Sequence, residues 1–155
     1  MDLEELHFST IEYGSKNHRD EIALRYEILR KPLGLQFTEE QLAAEKDEVH
    51  WGAFLIDKLV GCLLLKDMGD SVTQMRAVAV SQKYQGCGIG AALVRRAEQD
   101  AWERGYRKIV LDGRETALQF YKKLGYVQEG DVYIRVGLPH WKMSKELVGF
   151  FEKSD

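Results

Sequence analysis

The segment that decides the fold is SQKYQGCGIGAALV, residues 81–94. It contains three glycines at alternate positions, Gly86, Gly88 and Gly90, and then takes up the apolar spacing of a helix. Glycine in an ordered segment loses more conformational entropy than any other residue, so three together indicate that another group comes very close to the backbone. Because a helix N-terminus attracts anions through its unpaired N–H groups and its macrodipole, we expect a phosphate here.

Strand and helix patterns continue on both sides of this loop, each defined by its apolar period and its turn residues. In chain order they predict a strand over 6–14, a helix over 19–30, a second helix from Thr38, strands on either side of Asp57-Lys58, the strand TQMRAVAV, a helix over 88–104, the strand RKIVLD, the helix ETALQFYKKLG, and two strands around Gly137. Thr38 and Gln41 form a capping-box pattern at the second helix.

This order predicts an α/β fold with a mixed, mostly antiparallel central sheet flanked by helices, in a single domain over residues 1–155. The strand–helix–strand unit that contains the glycine loop should be parallel and right-handed.

Composition excludes several classes of function. The 155 residues have a formal net charge of −3, which argues against nucleic acid or a membrane surface as the main partner. We find no apolar run long enough to cross a membrane and no targeting segment, and so expect a cytoplasmic protein. The two cysteines and four histidines lack metal-ligand spacing, so no metal site is predicted.

Three interpretations of the glycine loop are open to objection. Gly86, Gly88 and Ala91 match the dinucleotide pattern G-x-G-x-x-A, but SQKYQ separates the strand from Gly86, where that motif needs the glycine directly at the strand end. A Walker-type loop would need Lys-Ser or Lys-Thr after the glycines. A purely structural turn would explain one glycine better than three.

Two motifs resemble those of the GNAT N-acetyltransferase superfamily. The first is the acetyl-coenzyme A motif [QR]-x-x-G-x-[GA], present as residues 85–90 after a strand, and the second is A-x-x-F-Y-x-K-x-G-[FY], present as residues 117–126. The order of elements is similar from the first strand to the last. The segment GLPHWKM also resembles the G-[IL]-P-H-x-x-M ending of some small bacterial members.

The resemblance implies that acetyl-coenzyme A is the acyl donor. Backbone N–H groups of the glycine loop would bind its pyrophosphate, and its pantetheine amides would add along a splayed strand at Val78–Val80 in the manner of another strand. The implied cofactor-binding residues are Val78, Ala79, Val80, Gln85, Gly86, Cys87, Gly88, Ile89, Gly90, Ala91, Ala117, Phe120, Tyr121 and Lys123. Arg114 stands where many relatives have asparagine, so a hydrogen bond from asparagine is not carried over.

Tyr121 is the residue we predict to be catalytic, since a phenol near the sulfur can protonate the departing thiolate. The attacking amine must lose a proton, and no motif assigns the base. Glu27, Gln74, Arg76 and His140 are candidates at the substrate side, and His140 is the residue type best suited to take a proton near neutral pH. A nucleophilic role for Cys87 is not expected, because such enzymes transfer the acyl group directly.

The leading hypothesis is an enzyme that transfers an acetyl group to a small-molecule or peptide amine in a ternary complex, as a possible homodimer. The alternatives are a non-catalytic acyl-coenzyme A sensor of the same fold and an NAD-dependent reductase. Four glutamates in the region of the first two helices hint at a cationic acceptor, although charged helix faces are usually only solvated; they are Glu27, Glu39, Glu40 and Glu45.

Overall fold

A computed structural model describes residues 5–147 and contains one seven-stranded sheet. The strands are β1 Leu6–Thr10, β2 Val49–Leu55, β3 Lys58–Asp67, β4 Val72–Val80, β5 Lys108–Arg114, β6 Val127–Arg135 and β7 Leu138–Glu146. The helices are α1 Lys16–Arg25, α2 Glu39–Ala43, α3 Ile89–Glu103 and α4 Leu118–Lys123. Short 3-10 turns at Gln82–Tyr84 and Glu115–Ala117 precede α3 and α4.

The sheet order is β1-β2-β3-β4-β5-β7-β6, with β4 and β5 parallel and all other neighbours antiparallel. This confirms the predicted mixed, mostly antiparallel sheet and its parallel unit. The last hairpin does not extend the sheet in sequence order, because β7 lies between β5 and β6.

The β4–β5 pair is held together only at its beginning. Parallel pairing covers Val72, Thr73 and Gln74 and then stops, so the two strands diverge. On its other side β4 pairs with β3, with a bulge where Ala77 adopts a φ of +54°. The predicted splay of this strand is therefore present, and its open edge runs towards Val80.

The core lies between the sheet and the helices, and α3 supplies much of it. Ile89, Leu93, Val94, Ala97 and Ala101 are buried against β2, β3 and β4. Fully burying a side chain such as Ile89, Leu93 or Val94 stabilises the fold by about 1.5–3 kcal/mol. Because Ile89 is in the core, the start of α3 and the glycine loop before it are held in place.

The first helix differs from its prediction. The apolar pattern predicts a helix over 19–30, but α1 ends at Arg25 and a π-helical turn follows over Tyr26–Arg30. A 3-10 turn at Lys31–Leu33 then ends the segment at Gly34, whose φ is +69°. Pro32 lacks the N–H that would continue the helix. The predicted capping box of α2 is confirmed, with both hydrogen bonds between Thr38 and Gln41 formed.

None of the helices within residues 5–147 combines the length and the apolar character needed to cross a membrane.

Candidate active site

The glycine loop presents a row of unpaired backbone donors. Within the described chain, none of the six successive N–H groups from Gly86 to Ala91 donates a hydrogen bond; the first amide of α3 with a partner is that of Ala92, which donates to the carbonyl of Gly88 at 3.1 Å. Gln85 ties the loop to the end of β4 by donating from Nε2 to the carbonyl of Val80 at 2.9 Å. Such a row at a helix N-terminus forms an anion-binding nest.

The three glycines of the loop differ in backbone conformation and in the space around them. Gly86 and Gly88 adopt φ values of +81° and +86°, which L side chains rarely adopt. Gly90 lies within α3 and has no positive φ, and a Cβ added there would approach the Phe120 ring at 3.4 Å without overlap. The space in front of Gly86 and Gly88 is open, since a Cβ at either would meet nothing within 4 Å.

A cavity of about 420 Å³ lies beside the opening between β4 and β5. Its wall combines β4 with the end of β5, the turn between β6 and β7, residues at and before α4, and the end of α1 with the segment that follows it. Among the residues predicted for the site, it contains Val78, Arg76, Ala117, Tyr121 and His140. The fold thus brings residues of β4, of the second motif and of the GLPHWKM segment to one cavity, whereas residues 85–90 of the first motif are not in its wall.

Tyr121 is buried in α4, with 8% of its surface exposed, and its ring packs edge-on against Phe120 and Tyr126. Burial raises the pKa of Tyr121 above its ordinary value, because the phenolate would be poorly solvated. The hydroxyl is therefore protonated at neutral pH and is a proton donor there.

His140 on β7 has a defined tautomer. Its Nδ1 lies 2.9 Å from the carbonyl oxygen of Leu138, which can only accept, so Nδ1 has the proton and a neutral ring has its lone pair on Nε2. The ring stacks on Tyr133 with centroids 5.9 Å apart. This arrangement orients the ring and leaves Nε2 as the nitrogen able to accept a proton.

The remaining predicted residues are spread over several parts of the structure. Ala79 and Ile89 have buried side chains, so only their backbones are available to a ligand. Lys123 is exposed on α4 and Phe120 packs beside Gly90. Glu27 is exposed, pairs with Lys31 at 3.6 Å and is not part of the cavity wall. Gln74 lies in the wall and donates from Nε2 to Asp112 at 3.3 Å.

A buried charge network beneath the cavity was not expected from the sequence. Arg25 is 2% exposed and donates to Glu45 at 2.7 Å and to Glu21 at 3.1 Å. Arg76 joins the same network through Glu45 at 3.4 Å and Glu48 at 2.5 Å. Glu45 is therefore an internal ion-pair partner, which corrects its interpretation as part of a surface attractive to a cationic acceptor. The i,i+4 spacing of Glu21 and Arg25 was the available signal.

Two of the four histidines also lie close to this network. The sequence shows no ligand spacing between them. The ligand atoms of His18, Glu21 and His50 lie within 4.8 Å of one another. His50 donates from Nδ1 to Glu21 at 2.8 Å, and its Nε2 lies 2.9 Å from the carbonyl oxygen of Glu45. Arg25 and His50 already hydrogen-bond the Glu21 carboxylate, whereas Nε2 of His18 is buried and has no hydrogen-bond partner among the described residues.

Comparison with known proteins identifies the class that this fold and site define. Residues 16–126 match the model of the Acetyltransferase (GNAT) family. The chain therefore belongs to the GNAT acetyltransferase family.

A curated relative agrees with this assignment, and two solved structures share the fold. The uncharacterised N-acetyltransferase YjcF of Bacillus subtilis is 26% identical over 129 residues, covering 83% of this chain and 91% of YjcF. A GNAT family acetyltransferase from Elizabethkingia anophelis with acetyl-CoA bound has a TM-score of 0.73 at 18% identity, covering 92% of this chain and 99% of that one. An aminoglycoside 6'-N-acetyltransferase complexed with coenzyme A has a TM-score of 0.75 at 19% identity, covering 92% and 97%.

Proposed function

We propose that this protein is an N-acetyltransferase that transfers an acetyl group from acetyl-coenzyme A to a primary amine by direct attack in a ternary complex. The observation that supports this most directly is the row of six unpaired N–H groups from Gly86 to Ala91 at the start of α3. A diphosphate satisfies such a row, and the open space before Gly86 and Gly88 admits it. Family membership and the two coenzyme-bound structural neighbours point to the same ligand.

The open edge of β4 is the second supporting feature. A chain of amides laid along Val78–Val80 satisfies backbone groups that β5 leaves unpaired after Gln74. One of them, the carbonyl of Val80, already accepts from Nε2 of Gln85. A thioester carbonyl bound there lies near backbone N–H groups able to stabilise a developing oxyanion. Arg114, at the end of β5 and in the cavity wall, is a further cation available to the acyl donor.

Tyr121 and His140 are proposed to take part in the proton transfers of the reaction. The Tyr121 hydroxyl, which burial keeps protonated, donates its proton to the departing sulfur. His140 accepts the proton of the attacking ammonium group at Nε2, directly or through one water. The neutral amine nitrogen forms the new bond to the acetyl carbon, the carbon–sulfur bond breaks, and the sulfur leaves as the thiol with the Tyr121 proton. The nitrogen then loses its second proton, which restores the Tyr121 hydroxyl directly or through water, so that the net proton released is the one held by His140.

Two measurements test this function. Calorimetric titration with acetyl-coenzyme A should show saturable binding, whereas NADH should not bind. Release of free thiol should then depend on an added amine. Binding without thiol release across a broad panel of amines would favour the sensor instead, and the absence of binding would overturn the assignment of the glycine loop.

A further inference from the structure

Charged residues in the cavity wall are unevenly divided. Five of them are arginines and one is a carboxylate; they are Arg25, Arg30, Arg76, Arg114, Arg135 and Asp112. A primary amine enters as a cation, so this excess of positive charge needs an explanation from the rest of the acceptor.

The one carboxylate of the wall is already occupied. Asp112 accepts hydrogen bonds from the hydroxyl of Tyr133, from Arg135 at 3.2 Å and from Gln74 at 3.3 Å. Three donors on two oxygens leave little capacity for a cationic substrate. Asp112 therefore serves to hold the wall rather than to bind an ammonium group.

Arg30 is in the opposite situation. Arg25, Arg76 and Arg135 each have a carboxylate partner, whereas no described carboxylate lies within 4.0 Å of Arg30. Its guanidinium lies over the Phe37 ring, 4.5 Å from the centroid, and Arg25 lies over the same ring at 4.9 Å. The wall thus presents a half-buried, unpaired cation on an aromatic support.

The field around Arg30 is positive. Burial lowers the pKa of Arg30, and the charges of Arg25, Arg135 and Arg76 lower it further, with Glu45 opposing them. All four arginines line the wall of the same cavity. An anion placed between them would relieve their mutual repulsion.

We propose that the acceptor is an amine that also carries a carboxylate or phosphate group, and that Arg30 binds this anionic group with Arg76 and Arg135 beside it. The proposal rests on the acetyl transfer proposed above and names the substrate class of the same cavity. A guanidinium binds either group through two parallel hydrogen bonds, which gives orientation as well as affinity. Ile28, Leu29 and Leu33 line the same segment and suit an apolar body between the two ends.

Calorimetric titration of the protein saturated with coenzyme A measures binding at this site without requiring turnover. The probes are matched pairs: leucine, phenylalanine and β-alanine against their carboxamides, and 2-aminoethyl and 3-aminopropyl phosphate against their amino alcohols. Spermidine serves as the cationic probe. We expect saturable binding of acidic members at least tenfold tighter than that of their neutral partners, and the tighter of the two acidic series identifies the group.

Variants locate the binding. Arg30→Gln should weaken the acidic probes at least tenfold, and Arg30→Lys, which keeps the charge but not the paired donors, should weaken them less. Lys31→Gln is the matched control, because Lys31 is exposed and pairs with Glu27 outside the cavity. Affinity for coenzyme A and the melting temperature should be the same in all three variants and the parent.

The two proposals fail in different ways. Equal or tighter binding of neutral or cationic probes, no binding of any acidic probe, or acidic binding unaffected by Arg30→Gln would overturn the anion site. If acetyl-coenzyme A released its thiol faster with spermidine or the carboxamides as acceptors than with the acids, acetyl transfer would be retained and the anion site would be overturned. An acidic amine that binds through Arg30 but is never acetylated would retain the anion site and overturn acetyl transfer.

Discussion

At the residue scale, Tyr121 is a buried residue that also lines the cavity. Within residues 5–147 its hydroxyl has no hydrogen-bond partner, and its ring is held by Phe120 and Tyr126. The ring therefore contributes to packing and the hydroxyl is available for chemistry, so the two roles are separable by removing one oxygen.

Replacement of Tyr121 by phenylalanine should lower kcat by ~10²-fold or more, because the departing thiolate loses its proton donor. Affinity for acetyl-coenzyme A and the free energy of unfolding should change little, since the ring is retained. Thiol release, calorimetry and denaturant titration measure these three quantities. Tyr13→Phe, which removes a hydroxyl outside the cavity, is the control. An unchanged kcat in Tyr121→Phe would remove the general-acid role.

At the element scale, two local departures from regular structure position the site. The π-helical turn over Tyr26–Arg30 spaces residues five apart on one face, and Arg25 and Arg30 accordingly contact the same Phe37 ring. An α-helix would instead have aligned Arg25 with Leu29. The glycine loop is the other departure, with two residues of positive φ directly before α3.

The glycine loop allows ligand binding and backbone strain to be measured separately. Gly90→Ala introduces no positive-φ strain and leaves ordinary contact with Phe120, so the free energy of unfolding should change by less than ~0.5 kcal/mol. If the diphosphate approaches the backbone there, the added methyl should still weaken binding of acetyl-coenzyme A at least tenfold.

Gly88→Ala is the matched comparison. Its φ of +86° should cost ~1–2 kcal/mol of stability on its own, in addition to any loss of affinity. Calorimetry and denaturant titration on both variants separate the two effects. Normal affinity in Gly90→Ala would mean that the ligand lies further from α3.

At the scale of the whole molecule, the buried charges join parts of the chain that no local pattern connects. Arg25 on α1, Glu45 after α2 and Arg76 on β4 meet beneath the cavity, so the same network that supports the fold also holds the cavity wall. Arg25 is 2% exposed, so removing its partner would leave a charge that has little contact with water.

Glu45→Gln should therefore destabilise the protein by ~3–5 kcal/mol, because it leaves a buried guanidinium without its principal counter-charge. Glu40→Gln, at an exposed position of α2, should change stability by less than ~0.5 kcal/mol. Denaturant unfolding at pH 7 measures both. Equal stabilities for the two variants would show that the network contributes little.

The same network makes stability depend on pH through His50. Burial favours the neutral ring, but hydrogen bonds to the Glu21 carboxylate and the Glu45 carbonyl outweigh it and raise the pKa of His50. A raised pKa contributes stability that is fully present below the unfolded value near 6.5 and is lost as the pH rises through the folded value. Burial lowers the pKa of His18, so the effect of His18 on the free energy of unfolding falls below pH 6.5 instead.

Above pH 6.5 the free energy of unfolding of the parent should therefore fall more steeply than that of His50→Gln, which has no titrating ring. Denaturant titrations at intervals from pH 6.5 to 9 measure the two slopes. Parallel slopes would mean that His50 does not gain a proton on folding.

The sequence by itself determined the order of elements, the parallel unit around the glycine loop and the membership of the GNAT family, because apolar period, capping residues and glycine spacing are local properties. It could not show the π-helical turn, the buried partners of Glu21 and Glu45, or the place of Glu98, which accepts from the hydroxyl of Tyr126 at 2.9 Å inside the core. Whether a charged side chain meets water or a counter-charge depends on residues distant in the chain, and only the packed sheet and helices decide that. For this reason Arg30 became recognisable as an unpaired cation only in the folded structure.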